Sequence, residues 1–352
     1  MERIASSYYE LFRCAGGKCP FTCCQQWMIA GDDGVCMRLG NDGRCEKLTF
    51  DGLCSIQKKY GENAIPRTCQ VFPRIDKSFD WRTEHTVTAC CPAVIDLMYS
   101  KDISFSGRLP VGPASDAEAQ IYIIRNLIIN LMMNKEYSCE DVLKMSFYIL
   151  LDFRDRFVKG HGDPVIYAHK TFIDELAGTV SNVKVDAYES MLEDNETLRD
   201  IMSAYIEQGL YTEYLSDIEK TAEEISSSGT SDPADDETLR KENESFINDF
   251  SKYEHLIRNY LANEIFIDLV RNDSDPVDML IGIQWTAICY ASIKQASFIF
   301  HKNKGRLDYE DIRGIITIMS RMTGYDEQDI DEYLQDRYKS LIWEWGYFAL
   351  LV

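Results

Sequence analysis

Cysteine thiols are the side chains of this sequence with the clearest capacity for chemistry. The stretch CAGGKCPFTCC, residues 14–24, places four of them within eleven positions, and ten of the twelve in the chain lie between residues 14 and 91. Only Cys139 and Cys289 fall outside that range, in apolar contexts typical of core thiols. No basic segment leads into an apolar one near the start, so we expect no secretion signal and a reducing, cytoplasmic environment. Thiols crowded in this way then favour metal binding over disulfides.

The spacing of the cysteines narrows the kind of metal site. The order is C-x4-C-x3-C-C, then Cys36, then C-x8-C-x14-C, and finally the pair Cys90-Cys91. Neither the close pairs of a zinc finger nor the C-x2-C-x2-C-x3-C-P run of bacterial ferredoxins occurs. An iron–sulfur cluster is compatible with the pattern, because it takes four thiolates from scattered positions. In an extended chain Cys23 and Cys24 would point to opposite sides, so we expect one to bind metal and the other to pack nearby, support a ligand or bind another metal.

Several segments resemble the flagellin lysine N-methylase (FliB) family, which belongs to a wider group of cysteine-rich domains thought to chelate iron or zinc. The specific segments are CAGGKCPFTCCQQW, CEKLTFDGLCSIQKKYGENAIPRTCQVFPR and CPAV, all within residues 14–95. A weaker likeness lies in YEHLIRNYLANEIF, residues 253–266. The positions that match the family's cysteines are Cys14, Cys19, Cys23, Cys24, Cys45, Cys54, Cys69 and Cys91. Cys36 and Cys90 have no counterpart.

The resemblance implies a bacterial enzyme with a [4Fe–4S] cluster, S-adenosylmethionine (SAM) as methyl donor and lysines of flagellin as substrate. Eight thiols suffice for one cluster or two, and we expect one, because two would leave little chain to wrap them. Arg67 and Arg74 flank Cys69 and would offset the negative charge of a cluster, although ordinary surface arginines fit the pattern equally well. Trp27 would shield a cluster from water, or it belongs to the core, which is the commoner place for a tryptophan.

Methyl transfer to lysine sets further requirements. The amine must be neutral and in line with the sulfonium methyl, with the reacting atoms about 3–3.5 Å apart. Because lysine has a pKa of about 10.4 in water, the site must accept a proton or lower that pKa by desolvation. Aromatic walls would stabilise both cations. Tyr253, Asn259 and Tyr260 in the second resembling stretch are candidates for this work, although a buried core stripe explains the two tyrosines more simply.

Conventional SAM-binding motifs are missing from the sequence. No G-x-G-x-x-G follows a strand, and strands do not alternate with helices as they would in a Rossmann methyltransferase. The radical-SAM spacing C-x3-C-x2-C is also absent. A donor site in this chain would therefore be unconventional.

The character of the sequence changes near residue 110. Before that point Gly and Asp-Gly turns separate short apolar pieces, strand-like alternation is nearly absent, and only residues 53–60 look helical. A segment of this kind buries too little apolar area to fold without a metal. We therefore predict a mainly α protein with two domains: an irregular cysteine-rich metal-binding domain over residues 1–110, packed on an acidic α-helical domain over residues 111–352.

Helical periodicity dominates the second part. Ser115 with Glu118, and Ser138 with Asp141, are capping signatures ahead of two apolar stripes. Further helices are predicted near 165–178, 195–208, 211–226, 238–270, 276–301, 309–321 and 327–348, with a flexible loop near 226–236. The longest apolar segment, residues 277–300, is interrupted by charged and polar residues and is typical of a buried helix, so we expect no membrane span.

The charge of the chain is uneven. Residues 1–100 hold 12 Lys/Arg and 12 Asp/Glu, so the formal charge of −21 lies entirely beyond residue 100. We expect no nucleic-acid partner, because no basic stripe is present to follow phosphates. An acidic body would attract a lysine-bearing protein surface, or it serves solubility alone.

The main hypothesis is a SAM-dependent protein-lysine N-methyltransferase that acts on flagellin. The alternative is a module for protein interaction, redox chemistry or metal delivery whose zinc or iron–sulfur centre has no part in catalysis.

Overall fold

The protein is mainly helical, as the sequence predicts. The computed structural model describes residues 2–26, 39–40, 42–107, 117–228, 233–324 and 327–352. The helices of its first part are α1 (Ser7–Leu11), α2 (Ser55–Tyr60), α3 (Arg67–Val71) and α4 (Pro92–Ser100). The body contains α5 (Ala117–Met133), α6 (Cys139–Val158), α7 (Lys170–Ser181), α8 (Ala187–Glu207), α9 (Thr212–Ser228), α10 (Pro233–Phe250), α11 (Glu254–Asp268), α12 (Pro276–Lys304), α13 (Tyr309–Met322), α14 (Glu327–Tyr338) and α15 (Trp345–Leu350).

Most predicted helices have a counterpart in the structure. The Ser138 hydroxyl accepts a hydrogen bond from the Asp141 backbone N–H at 3.0 Å, which begins α6 as the capping signature indicates. The helix predicted over 238–270 is interrupted by the 3-10 turn Ser251–Tyr253, and the one over 327–348 by Lys339–Trp343. Ser115 lies outside the described residues. So do residues 229–232, the middle of the predicted loop between α9 and α10.

Helix α12 forms the centre of the body. Of its 29 residues, 21 are buried, and it contacts α6, α8, α11 and α13. Because it is enclosed on all sides, its sequence has no polar stripe. Gly282 permits the closest of these approaches: a Cβ atom there would lie 2.6 Å from the Asp268 carbonyl oxygen at the end of α11. Among the described residues, no helix combines the length and apolarity that crossing a membrane requires.

A small sheet, which the sequence analysis did not predict, joins the first part of the chain to the body. Its strands are β1 (Glu2–Ser6), β2 (Arg74–Ser78), β3 (Arg82–Val87) and β4 (Phe105–Ser106), in the order β2-β3-β1-β4. Strand β1 runs parallel to β3 and antiparallel to β4, whereas β2 and β3 form an antiparallel hairpin. The alternation was missed because the buried positions of β3 include Arg82, Glu84 and Thr86, which are polar.

A buried ion pair satisfies the polar inner face of β3. Arg125 of α5 donates two hydrogen bonds to the Glu84 carboxylate, at 2.7 and 2.8 Å, and Arg82 contacts the same carboxylate. These three side chains are almost completely buried, so the pairing fixes the sheet against α5. The hydrophobic core is continuous from Ile4 to Val352. The predicted domain boundary at residues 110 and 111 lies outside the described residues and stays a prediction.

Candidate metal centre

One cavity is lined by the cysteines that match the family pattern. Its volume is about 480 Å³, and its walls include all eight predicted ligands: Cys14, Cys19, Cys23, Cys24, Cys45, Cys54, Cys69 and Cys91. These residues come from separate loops and short helices between β1 and α4. Cys90, which has no family counterpart, does not line this cavity, and Cys36 lies outside the described residues.

The first four cysteines are placed by a tight loop. A 3-10 turn over Gly16–Lys18 separates Cys14 from Cys19, and the Gly16 N–H points at the Cys14 Sγ at 3.4 Å. Cys23 and Cys24 lie in a turn, so both line the cavity, and the argument from an extended chain does not apply to them. The sequence does not reveal this turn.

The remaining four cysteines are positioned by backbone contacts and helix ends. The Cys45 N–H donates to the Cys24 carbonyl at 2.8 Å, which joins two cysteine loops. Cys54 immediately precedes α2, Cys69 lies within α3, and Cys91 immediately precedes α4, where Pro92 is the first helical residue. Gly17 permits contact with the next loop, because a Cβ atom there would lie 2.7 Å from the Asp51 carbonyl oxygen.

The thiols differ in how readily they ionise. Burial raises the pKa of Cys19 and Cys45, and it raises the pKa of Cys91 to about 12. A hydrogen bond from the Cys23 thiol lowers the pKa of Cys24 to about 6, whereas the same contact raises the pKa of Cys23. Cys24 is therefore the best preformed thiolate, and the buried thiols need a bound metal to ionise at neutral pH.

Arg321 of α13 is the principal cation of this cavity, and sequence reasoning missed it. Its guanidinium is buried and donates to the Cys90 carbonyl at 2.9 Å, the Phe21 carbonyl at 2.7 Å and the Tyr211 hydroxyl at 2.8 Å. It also lowers the pKa of Cys24, after the larger effects of hydrogen bonds. No local signal identifies Arg321, because it lies 230 residues from the last cysteine of the cavity.

The residues predicted to surround a cluster are placed differently from one another. Arg74 lines the cavity, with its guanidinium 5.2 Å from the ring centre of Phe12. Arg67 is exposed at the start of α3 and does not line it. Trp27 lies outside the described residues. The prediction of cofactor contacts by Arg67, Arg74 and Trp27 is otherwise untested.

The eight thiols line the walls of one space. Within the described ranges, no three His, Cys, Asp or Glu side chains are grouped as ligands of one metal ion. Four thiolates on one tetrahedral zinc ion would lie about 3.8 Å from one another, given Zn–S bonds of about 2.3 Å. A cluster of several irons holds its thiolates farther apart, because each thiolate binds a different iron atom.

Comparison with known families adds evidence from the other part of the chain. The model of the FliB lysine N-methylase C-terminal domain matches residues 125–351. The chain belongs to the FliB lysine N-methylase family. The resemblance that the cysteine segments indicate is thereby confirmed, although the match covers the helical body and not the cysteines. Comparison with curated proteins and with solved structures gave no match.

The predicted catalytic residues of this FliB family member lie inside the matched domain, and each has contacts of its own. Asn259 is completely buried: its Nδ2 donates to the Met98 carbonyl at 2.8 Å, and its Oδ1 accepts from the Ile103 N–H at 2.9 Å. The Tyr253 hydroxyl donates to the Leu307 carbonyl at 3.1 Å. Tyr260 is buried, which raises its pKa well above the usual value. Their part in catalysis stays a prediction. The hydrogen bonds of Asn259 also give it a structural role.

Proposed function

We propose that this chain is a SAM-dependent protein-lysine N-methyltransferase that acts on lysines of flagellin and carries a [4Fe–4S] cluster in the cysteine-lined cavity. Membership of the FliB lysine N-methylase family implies lysine methylation and a methyl donor. The cluster, the identity of the donor as SAM and the flagellin substrate are the further steps of the proposal.

A single observation carries the cluster: eight cysteines from distant loops line one cavity of about 480 Å³. Such a concentration of thiols is costly in a cell unless it binds something, because exposed thiolates are readily oxidised. Eight thiols exceed the four that one tetrahedral zinc ion binds, which supports several irons over one ion. The free cysteines also support a reducing compartment such as the cytoplasm.

Four thiolates from this set would hold the cluster, with Cys24 the one that ionises first. Arg74 and Arg321 would offset its negative charge from two sides of the cavity. When bound, a [4Fe–4S] cluster would supply covalent cross-links between cysteine loops and a centre capable of electron transfer. Because Arg321 belongs to the family domain, the cavity and the methylase domain share a residue.

The acidic body suits a lysine-bearing partner. The formal charge of −21 lies beyond residue 100, and the family model matches most of that part of the chain, residues 125–351. A surface of one sign steers an oppositely charged protein towards it. A lysine-rich region of flagellin is the substrate class that this field would attract.

Mass spectrometry of flagellin tests the activity directly. Anaerobically purified protein, SAM with a deuterated methyl group and unmethylated flagellin should yield labelled methyl groups on lysine side chains. Omission of SAM is the control. Flagellin without label would show that the proposed activity is wrong, while the metal content of the same preparation decides separately on the cluster.

A further inference from the structure

A second cavity, of about 690 Å³, lies within the family-matched body and against β2. Glu264 and Asp268 of α11 line it, together with Trp285 of α12 and Ser320 of α13. We call it the acidic cavity. Exposed Gln328 is part of its wall, so it reaches the protein surface.

Glu264 is a carboxylate in an unusual position. It lies one helical turn from Asp268, on the same side of α11. Its Oε1 accepts a hydrogen bond from the Asn263 Nδ2 at 3.1 Å, and it forms no ion pair with any residue that the structure describes. Burial, and after it the charge of Asp268, raises the pKa of Glu264 to about 8. A half-buried carboxyl group without an ion-pair partner among the described residues is a place where an added cation would be stabilised.

Two basic residues, Lys77 and Arg271, line the cavity with Glu264, but neither forms an ion pair with it. Lys77 of β2 is the nearest basic group, but its Nζ donates to the Ile267 carbonyl, and burial lowers its pKa. Arg271 lies in the cavity wall beyond Asp268. The remaining neighbours that ionise are Tyr260, Cys90 and Cys289. Burial raises the pKa of each, and none of them can carry positive charge.

Two further wall residues suit a ligand with an amine or a sulfonium. Trp285 is almost fully buried and presents an aromatic wall of the kind that attracts organic cations. The Ser320 hydroxyl is 8 % exposed, lies near Tyr260 and makes no hydrogen bond of ordinary geometry with the described residues. A buried hydroxyl without a firm partner is available to an incoming polar group.

We propose that the acidic cavity receives the side chain of the substrate lysine and that Glu264 accepts its proton before methyl transfer. The inference rests on the proposed function and assigns that function a site. A lysine fits better than the methyl donor, because the ammonium of lysine must lose a proton and a sulfonium has none to lose. The cavity is also larger than one lysine side chain requires, which leaves space for the donor methyl group.

The proposed step balances in protons and electrons. The lysine ammonium transfers one proton to the ionised Glu264 carboxylate, which leaves a neutral amine. The amine lone pair then forms the N–CH3 bond as the S–CH3 bond of the donor breaks, and the electron pair of that bond stays on sulfur. Glu264 releases its proton to solvent after the methylated product leaves. A proton acceptor whose pKa lies near the working pH is effective in such a step.

The acidic cavity adjoins the cysteine cavity. Cys90 and Ser320 line the first, whereas Cys91 and Arg321, their neighbours in the chain, line the second. The Cys90 thiol donates to the Ser320 carbonyl at 3.3 Å, and the Arg321 Nε donates to the Cys90 carbonyl at 2.9 Å. The two cavities therefore share one wall, and a bound cluster would fix that wall in place.

The pH dependence of methylation by Glu264→Gln tests the inference. At pH 7.5, kcat/KM on flagellin should fall by about 100-fold, the lower end of what a positioned proton acceptor contributes. In the wild type, kcat/KM should rise with pH and level off near the pKa of Glu264, about 8. In the variant it should continue to rise towards the pKa of lysine, about 10.4, so that the difference narrows as more amine arrives neutral.

Glu223→Gln is the matched control, because it removes one carboxylate from the exposed face of α9. It should retain wild-type kcat/KM at every pH. Equal activity of Glu264→Gln and wild type would overturn this inference and leave the proposed function standing. A loss of activity of the same size at every pH would do the same, because it indicates a structural effect. Failure of the wild type to methylate any lysine would overturn the proposed function, and this inference with it.

Stability provides a readout that does not depend on activity. Because the folded pKa of Glu264 is raised above its usual value, protonation favours the folded state. The stability that this group contributes is complete below about pH 4.5 and is lost as the pH rises through about 8. The free energy of unfolding should therefore decline across that window more steeply in the wild type than in Glu264→Gln. Identical slopes would contradict the half-buried carboxyl group, without an ion-pair partner among the described residues, on which the inference depends.

Discussion

The cysteine loops and the helical body are held together by different means. Helices α2 and α3, which carry or adjoin Cys54 and Cys69, contain no buried residue. Helix α12 of the body buries 21 of its 29 residues. The body can fold through apolar packing, at roughly 25 cal/mol per Å² of apolar surface removed from water. The cysteine loops bury less apolar surface, so we expect their order to depend on what the thiols bind.

The sheet is the exception within the first part of the chain. Strand β3 is largely buried and is fixed to α5 through the pairing of Glu84 with Arg125. Removal of metal should therefore unfold only the loops that carry the cysteines and leave the sheet folded. Three regions thus differ in what stabilises them: loops that the proposed metal would hold, a sheet held by a buried ion pair, and a body held by its core.

Replacement of Cys54 or Cys69 by Ser should have the largest local effect. Loss of a ligand should release metal and unfold the cysteine loops, so that protease cleavage within residues 42–72 increases by about an order of magnitude or more. The helical body should remain folded. Limited proteolysis followed by mass spectrometry of the fragments measures both outcomes.

Cys139→Ser is the control for that experiment, because Cys139 is a buried thiol of α6 outside the cavity. It should retain metal and the wild-type cleavage pattern in the loops. Equal cleavage of wild type and the Cys54 and Cys69 variants would mean that the loops do not depend on their thiols.

Glu84→Gln should have the next largest effect, on the sheet and the body together. The substitution leaves two buried arginines without a carboxylate, and breaking a buried pair in this way costs about 3–5 kcal/mol. Chemical denaturation should show this loss in the global transition. A loss confined to the cysteine loops would contradict the assignment of the sheet to the body.

Asn259→Ala distinguishes a structural from a catalytic asparagine. It leaves the Ile103 N–H and the Met98 carbonyl without their partner, and unsatisfied buried groups cost about 1–3 kcal/mol each. We expect a loss of stability, while the methylation rate per folded molecule changes little. Loss of methylation with unchanged stability would instead support the catalytic part predicted from the sequence.

Salt should have the smallest effect and should act on substrate encounter. Raising the ionic strength shortens the Debye length, which is about 8 Å at physiological salt, and weakens steering by the acidic body. On flagellin, kcat/KM should fall several-fold while kcat stays nearly constant, whereas a short neutral peptide should show little change. If kcat/KM on flagellin is indifferent to salt, the acidic surface serves solubility alone.

The sequence predicted what depends on local pattern. Helix α6 begins at its capping serine, and the enclosed helix α12 was recognisable from its apolar length. The family's cysteine pattern identified all eight cysteines that line the cysteine cavity. These features depend on short segments, so periodicity, capping and spacing in the sequence are enough to predict them.

Other features depend on contacts between distant residues and were not predictable. Strand β3 buries Arg82 and Glu84, so its inner face does not look apolar. Arg321 reaches the cysteine cavity only through the packing of α13. Glu264 stands in the same stretch as the proposed Tyr260, and a lone acidic residue within the apolar run LANEIF is the signal that could have identified it.

Iron and acid-labile sulfide, measured together with zinc in anaerobically purified protein, test the central claim most directly. We predict about four irons per chain with matching sulfide, as one [4Fe–4S] cluster in the cysteine cavity requires. We also predict that this iron is lost in the Cys54 and Cys69 variants and retained in Cys139→Ser. Stoichiometric zinc without iron, or ordered loops in protein that contains no metal, would contradict the claim.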